Sequence, residues 1–241
     1  MIDAHCHVDL YPDPFSIANE CERLGIYTIA VTNLPSHFKM GFDHLISFKK
    51  VRLALGMHPM YAERHQEEFS LFERLSQDTS YIGEVGLDYS KDGIKSKSIQ
   101  NDSFERILSF LKDRQKVFSI HSRSAESDTF KYLKSYGIKS AIFHWYTGSV
   151  ELIPQIAATG YFFSVNSAMI NSTKGQEIIK TIPASSILPE SDGPFIQYEN
   201  RPVRPSDLSI VTNYLSKVWK KSSEDTNEII LQNFTRLIKK S

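Results

Sequence analysis

Short apolar, β-branched runs alternate with longer segments of helical spacing along almost the whole chain. The runs occupy residues 1–7, 27–32, 52–57, 81–85, 117–121, 141–144, 161–165 and 187–190. Between them, residues 15–24, 63–75, 100–116, 126–136, 150–159, 174–181 and 205–219 read as helices. In the second of these, Phe69, Phe72 and Leu75 share a face; in the third, Phe104, Ile107, Leu108 and Leu111 fall at helical spacing. Ser206 and Asp207 suit a capped start for the last. Residues 223–240 add one or two further helices.

Strands that alternate with helices predict a parallel sheet. Eight of them is the number that closes a (β/α)8 TIM barrel. An open doubly wound sheet would carry a Gly-rich phosphate turn after its first strand, and here that strand ends in His5-Cys6-His7. The pattern therefore predicts an α/β fold, a single-domain TIM barrel over residues 1–241. No internal repeat, low-complexity tract or linker interrupts it.

Polar residues of one kind recur at the ends of these runs. His5 and His7 end the first, His58 follows the third, and Glu84 lies inside the fourth. His121 and His144 end the fifth and sixth, and Asp192 follows the eighth. In a TIM barrel all C-terminal strand ends meet on one face, where active sites lie. Residues two apart on a strand point the same way, so His5 and His7 can share one ion while Cys6 turns away to pack. Imidazole with carboxylate suits Zn, Mn or Fe, and Mg where carboxylate and water dominate. Glu84 sits in Gly83-Glu84-Val85-Gly86-Leu87-Asp88, where a buried carboxylate is costly unless paired or bound to metal. Its two oxygens allow it to bridge two ions, and the flanking glycines remove bulk beside it. Asp88 and Tyr89 are read either as partners of the site or as a loop cap. His37, His44 and His65 fall in helices or loops and are read as structural or solvated.

Composition narrows the picture. The 241 residues match the size of one barrel, and 41% hydrophobic residues can build its core. A net charge of +0, from 28 basic and 28 acidic residues, argues against a broad basic nucleic-acid surface. A bound cation can still supply positive charge to a local phosphate site. Cys6 and Cys21 form no disulfide framework, which fits a reducing compartment. With no signal-peptide pattern and no run of about 18 apolar residues, a cytoplasmic protein is expected.

Six motifs, taken together, resemble the TatD family of metal-dependent deoxyribonucleases. They are His5-Cys6-His7, Gly56-Met57-His58-Pro59, Gly83-Glu84-Val85-Gly86-Leu87-Asp88-Tyr89, His121-Ser122-Arg123, His144-Trp145-Tyr146-Thr147-Gly148-Ser149 and Glu190-Ser191-Asp192-Gly193-Pro194. The resemblance covers nearly the whole chain. It implies a barrel of the amidohydrolase-like type with two divalent metal ions (Mg, Mn or Zn) and DNA as substrate, attacked by 3′→5′ exonuclease action. By position it implies His5, His7, Glu84 and Asp192 as ligands of one ion, and Glu84, His121 and His144 as ligands of the second. His58 and Arg123 take the place of residues that meet substrate phosphate. The chain departs from the family pattern at Trp145, where a small residue is usual, at Ser191 and Gly193, and in a short 195–202 loop. Strand seven ends in Ser164-Val165-Asn166-Ser167, where a Gly-containing turn is common.

These residues suggest hydroxide attack on phosphorus, with Asp192 as proton acceptor and Arg123 clamping a phosphate oxygen. Trp145 and Tyr146, which follow His144 directly, are placed either at the pocket rim as base-stacking residues or in the core. Arg201 and Arg204 either reach a strand backbone or are solvated. Two other functions fit the same scaffold. One is a hydrolase of a small amide or ester; many such barrels bridge their metals with a carboxylated lysine, where this chain has Glu84. The other is a barrel subunit of a larger complex, active only with a protein partner.

Overall fold

The computed structural model describes residues 1–240. Eight strands, β1 (Ile2–Cys6), β2 (Tyr27–Val31), β3 (Val51–Met57), β4 (Tyr81–Gly86), β5 (Val117–His121), β6 (Ser140–Phe143), β7 (Phe162–Val165) and β8 (Ile187–Pro189), pair in chain order. Every pairing within this sheet is parallel. The barrel closes through the chain that follows β8: Asp192 N–H donates to His5 O at 3.0 Å, and His7 N–H donates to Gly193 O at 2.9 Å. Closure thus runs through residues of the predicted site.

The helices α1 (Pro14–Leu24), α2 (Pro35–Leu45), α3 (His65–Leu75), α4 (Lys97–Leu111), α5 (Glu126–Ser135), α6 (Ile153–Ala158), α7 (Ser167–Ile170), α8 (Thr173–Thr181), α9 (Ser209–Trp219) and α10 (Ser223–Lys240) complete the fold. Their ends follow local chemistry. Asp13 accepts the Ser16 N–H at the start of α1, Pro14 fits the first helical position, and left-handed Gly25 stops the helix. Beyond β8, Gln197–Tyr198 and Arg201–Pro202 make a small hairpin turned by Glu199 and Asn200, both at positive φ. At the opposite end of the barrel, Asn233 of α10 donates to the carbonyls of Ala184 and Ile187 at 2.8 and 2.7 Å, fixing the start of β8.

Two glycines let the central strands approach. A Cβ on Gly86 would stand 1.9 Å from the His121 carbonyl oxygen, and one on Gly83 would stand 2.8 Å from Ser119 Cβ. These residues clear space for the β5 backbone and Ser119, rather than for the Glu84 side chain as the sequence suggested. Glu84 and His121 are brought together as a result. Among the described residues no helix is long and apolar enough to cross a membrane.

Candidate metal centre

His5, His7, Glu84, His121, His144 and Asp192 converge at the C-terminal ends of the strands. Glu84, 2% exposed, lies at the middle. Its Oε1 is 2.7 Å from His121 Nδ1 and 3.4 Å from His58 Nε2; its Oε2 is 3.2 Å from His7 Nε2 and 3.5 Å from His5 Nε2. Asp192 Oδ1 stands 3.8 Å from His5 Nε2 and 3.9 Å from His144 Nε2. The rings of His5 and His144 stack with centroids 3.5 Å apart. Three donor sets have ligand atoms within 4.8 Å of one another: His5, His7 and Glu84; His5, His144 and Asp192; His58, Glu84 and His121.

His5, His144 and His121 are each held from behind. Ser119 Oγ is 2.7 Å from His5 Nδ1, Glu190 Oε2 is 2.8 Å from His144 Nδ1, and Asp88 Oδ2 is 2.7 Å from His121 Nε2. A carboxylate or hydroxyl that fixes one ring nitrogen leaves the other free to offer its lone pair. Asp192 Oδ1 and His7 Nδ1 are buried and have no hydrogen-bond partner among the described residues. A buried carboxylate oxygen left unpaired is expensive, and a cation is one way to satisfy it.

Charge here is divided by environment. Burial, reinforced by nearby His144, drops His5 to about 3, so its ring is neutral. Burial works against a charged His121, yet the hydrogen bonds of Asp88 and Glu84 lift it to about 9. His144 rises to about 10 against its burial, through Glu190 and Asp192. Asp192 is pushed to about 7 by burial, with His144 opposing. Despite full burial, Glu84 stays well below the usual carboxylate range because His58, His5 and His121 surround it. Two carboxylates facing this many ring nitrogens form a donor set that fits divalent cations.

Residues 2–239 match the family described as TatD related DNase. The chain belongs to the TatD family. Membership makes it a hydrolase of ester bonds. Deoxyribonuclease TATDN3 of Homo sapiens is 26% identical, with 100% of this chain and 95% of that protein aligned. An uncharacterized metal-dependent hydrolase of Methanocaldococcus jannaschii is 22% identical, over 99% of this chain and 97% of the relative. Among solved structures, YJJV, a TatD homologue from Escherichia coli K12, superposes with a TM-score of 0.87 at 21% identity, covering 98% of this chain and 97% of that one. At that identity the superposition speaks for the fold alone.

In this TatD chain the remaining predicted residues separate. Arg123 is exposed and lines the same pocket as the cluster, and no carboxylate of the described residues pairs with it. His58 falls within reach of Glu84 and His121, closer to the donor cluster than a substrate contact needs to be. The Met60 N–H donates to its Nδ1 at 3.1 Å, however, so in the neutral ring Nε2 carries the hydrogen. His58 therefore points a donor at the site, which suits a substrate oxygen better than a cation. His65, read as structural, is buried against Ser103 Oγ at 2.6 Å and the His58 carbonyl at 3.0 Å, and so holds His58 in place.

Trp145 lines the pocket; Tyr146 does not. Tyr146 is 1% exposed, packs on Phe163 and Phe143, and donates its hydroxyl to Ser149 O at 2.7 Å. Its placement as a substrate contact is corrected to a core position. The cause is Trp145, whose φ of 36° reverses the chain after His144 and sends the next side chain inward. Tyr146→Phe should lower stability by about 1 kcal/mol, the net worth of one hydrogen bond, and leave turnover unchanged. Denaturant midpoints beside kinetics on the same samples would check both. Arg201 forms a bidentate pair with Asp207 at 2.7 and 2.8 Å, and Arg204 lies 3.9 Å from Glu20.

Sequence reasoning missed Glu190, Ser119, Asn166 and Asp3. Glu190 was legible by the argument applied to Glu84, as an acid closing an apolar run. Asp3 shares a strand face with His5, and its Oδ1 accepts the Ser191 N–H at 2.9 Å, tying β1 to the residue before Asp192. Asp88 proves to be both partner and cap: Oδ2 meets His121 while Oδ1 accepts the Ser90 N–H at 2.8 Å.

Proposed function

We propose that this chain is a metal-dependent deoxyribonuclease that shortens DNA from its 3′ end, with two divalent ions at the barrel mouth. The observation that carries this reading is the buried Glu84 carboxylate, shared among five imidazoles and facing the same pocket as Arg123. His5, His7, Glu84 and Asp192 would hold one ion; Glu84, His121 and His144 would hold the other. Bound there, such ions supply Lewis-acid polarisation of a phosphoryl oxygen and a water of lowered pKa.

The chain's own groups do the positioning. Arg123 presents a planar fork that matches two phosphate oxygens. His58 donates Nε2–H to a third. Asp192 carries an oxygen buried at the pocket with no hydrogen-bond partner among the described residues, placed to take the proton of an attacking water. The family resemblance gives Glu84 the bridging role that many related amide hydrolases give to a modified lysine, which favours a phosphodiester over an amide substrate. The relatives' naming as deoxyribonucleases points the same way.

The test is a 5′-labelled single strand incubated with the purified chain in Mg, Mn or Zn, and in chelator. A ladder that shortens from the 3′ end with metal and stops in chelator is the expected result. Folded, metal-loaded protein that leaves DNA intact while hydrolysing an amide or carboxyl ester overturns it.

A further inference from the structure

Among the described residues, those that line the pocket come from β1, β3, β4, β5, β6 and β8 or the loops after them, and none comes from β2 or β7. The β7 sector is bare for a specific reason. Asn166, which follows β7, turns inward: its Nδ2 donates to Glu190 Oε1 at 2.8 Å and its Oδ1 caps the next short helix at Met169 N. Two aromatic residues flank this bare sector, Trp145 after β6 and Phe195 after β8.

Both rings line the pocket, Phe195 largely exposed and Trp145 half-buried against the core. Phe195 is 59% exposed, and its ring stands nearly perpendicular to that of His7, at 85° with centroids 4.9 Å apart. Trp145 sits in the left-handed region, a costly place for a bulky side chain that recurs at functional sites. Its ring meets His144 edge-on at 6.3 Å. Both rings therefore keep aromatic surface for something that enters the pocket. The rest of the wall mixes Met60 with the polar side chains of Arg123, Ser90 and Ser122.

Building on the nuclease reading above, we propose that Phe195 and Trp145 form a base clamp over the β7 sector that selects an unpaired terminal nucleotide. The phosphate lies on the Arg123 side and the base enters between the two rings. A base inside a duplex already has both faces stacked on neighbours and must leave that stack to enter. The clamp thus makes the chain prefer single-stranded or frayed ends over blunt duplex, with little preference among bases, since every base offers a π face.

The test compares single strands ending in a normal nucleotide or in an abasic one, cleaved by wild type, Phe195→Ala and Trp145→Ala. Each variant should raise KM about tenfold on the normal end, the scale of losing one base–aromatic stack, with kcat little changed. The abasic end should be cleaved alike by all three, and Phe195→Tyr and Trp145→Phe should restore most of the loss. Binding gives an independent readout: in the cleavage-arrested Asp192→Asn background, fluorescence of a 3′-terminal 2-aminopurine should be quenched, and Phe195→Ala should relieve the quenching. If wild type degrades both ends while the variants match it in KM and in quenching, the clamp is wrong and the nuclease reading stands. If metal-loaded wild type degrades neither and quenches nothing, both fall.

Discussion

Glu84→Ala should reduce DNA cleavage by about three orders of magnitude and remove at least one ion from the purified chain. Among the described residues, this carboxylate alone turns its two oxygens to both halves of the cluster: Oε1 toward His58, His121 and His144, Oε2 toward His5 and His7. Metal polarisation of a transferring phosphoryl group contributes several kcal/mol, and each 1.4 kcal/mol is a factor of ten in rate. Losing roughly 4 kcal/mol of it gives about 10³. Folding should suffer less than activity, because the imidazoles that remain can shed protons once their counter-charge is gone. Glu84→Gln, which keeps the shape, should be as inactive as the alanine variant; that separates lost charge from a collapsed cavity. Metal analysis by plasma mass spectrometry beside single-turnover cleavage would decide it. A Glu84→Ala protein that retains two ions and near-normal turnover would remove this residue from the centre of the mechanism.

Much of the fold was legible because buried strands write themselves as apolar runs. The run at 117–121 coincides with β5, and that at 27–32 overshoots β2 by one residue. What the pattern missed has local causes. The helix Pro35–Leu45 carries Phe38, Phe42 and Leu45 on one side, but Lys39, Gly41 and Asp43 dilute the stripe, and Leu34 offers no side-chain cap to announce its start. Helical spacing in the sequence runs on to residue 116, yet the fourth helix ends at Leu111, and the Arg114 N–H turns back onto the Leu111 carbonyl. The single helix Ser223–Lys240 resolves the tail that the sequence left as one or two.

The site was legible where strand ends fix the geometry and illegible where a loop does. His5, His121 and His144 could be placed because they lie at or beside the C-terminal ends of strands whose register the barrel dictates. Tyr146 could not, because one left-handed residue at 145 decides its direction, and no periodicity reports a single φ. Glu190 was legible as an acid closing an apolar run, but its partners were not. Ser164 and Asn166 are ordinary polar residues at the end of β7, and a barrel order that sets β7 beside β8 does not say which of their side chains meet.

Glu190 also yields a prediction that distinguishes holding a ligand from being one. The residue is 0% exposed, and three groups converge on it: His144 Nδ1 at 2.8 Å, Asn166 Nδ2 at 2.8 Å and the Ser164 hydroxyl. Glu190→Ala leaves all three without their acceptor in a site closed to water. Removing one partner of a buried ion pair costs about 3–5 kcal/mol. In a chain of this size each kcal/mol lowers the melting temperature by about 2–4 °C, so a fall of roughly 10 °C is expected. The effect on metal is indirect. Without the carboxylate behind it, the His144 ring loses its fixed orientation, and such losses weaken metal affinity about 10–100-fold. Activity of Glu190→Ala should therefore be low at trace metal and recover as metal is raised, below the new melting temperature. Glu84→Ala should not recover at any concentration, since the oxygens themselves are gone. A metal titration of cleavage rate for the two variants reads the difference directly. Glu190→Ala activity that stays flat across that titration would mean Glu190 contributes to the chemistry itself, not only to the seating of His144.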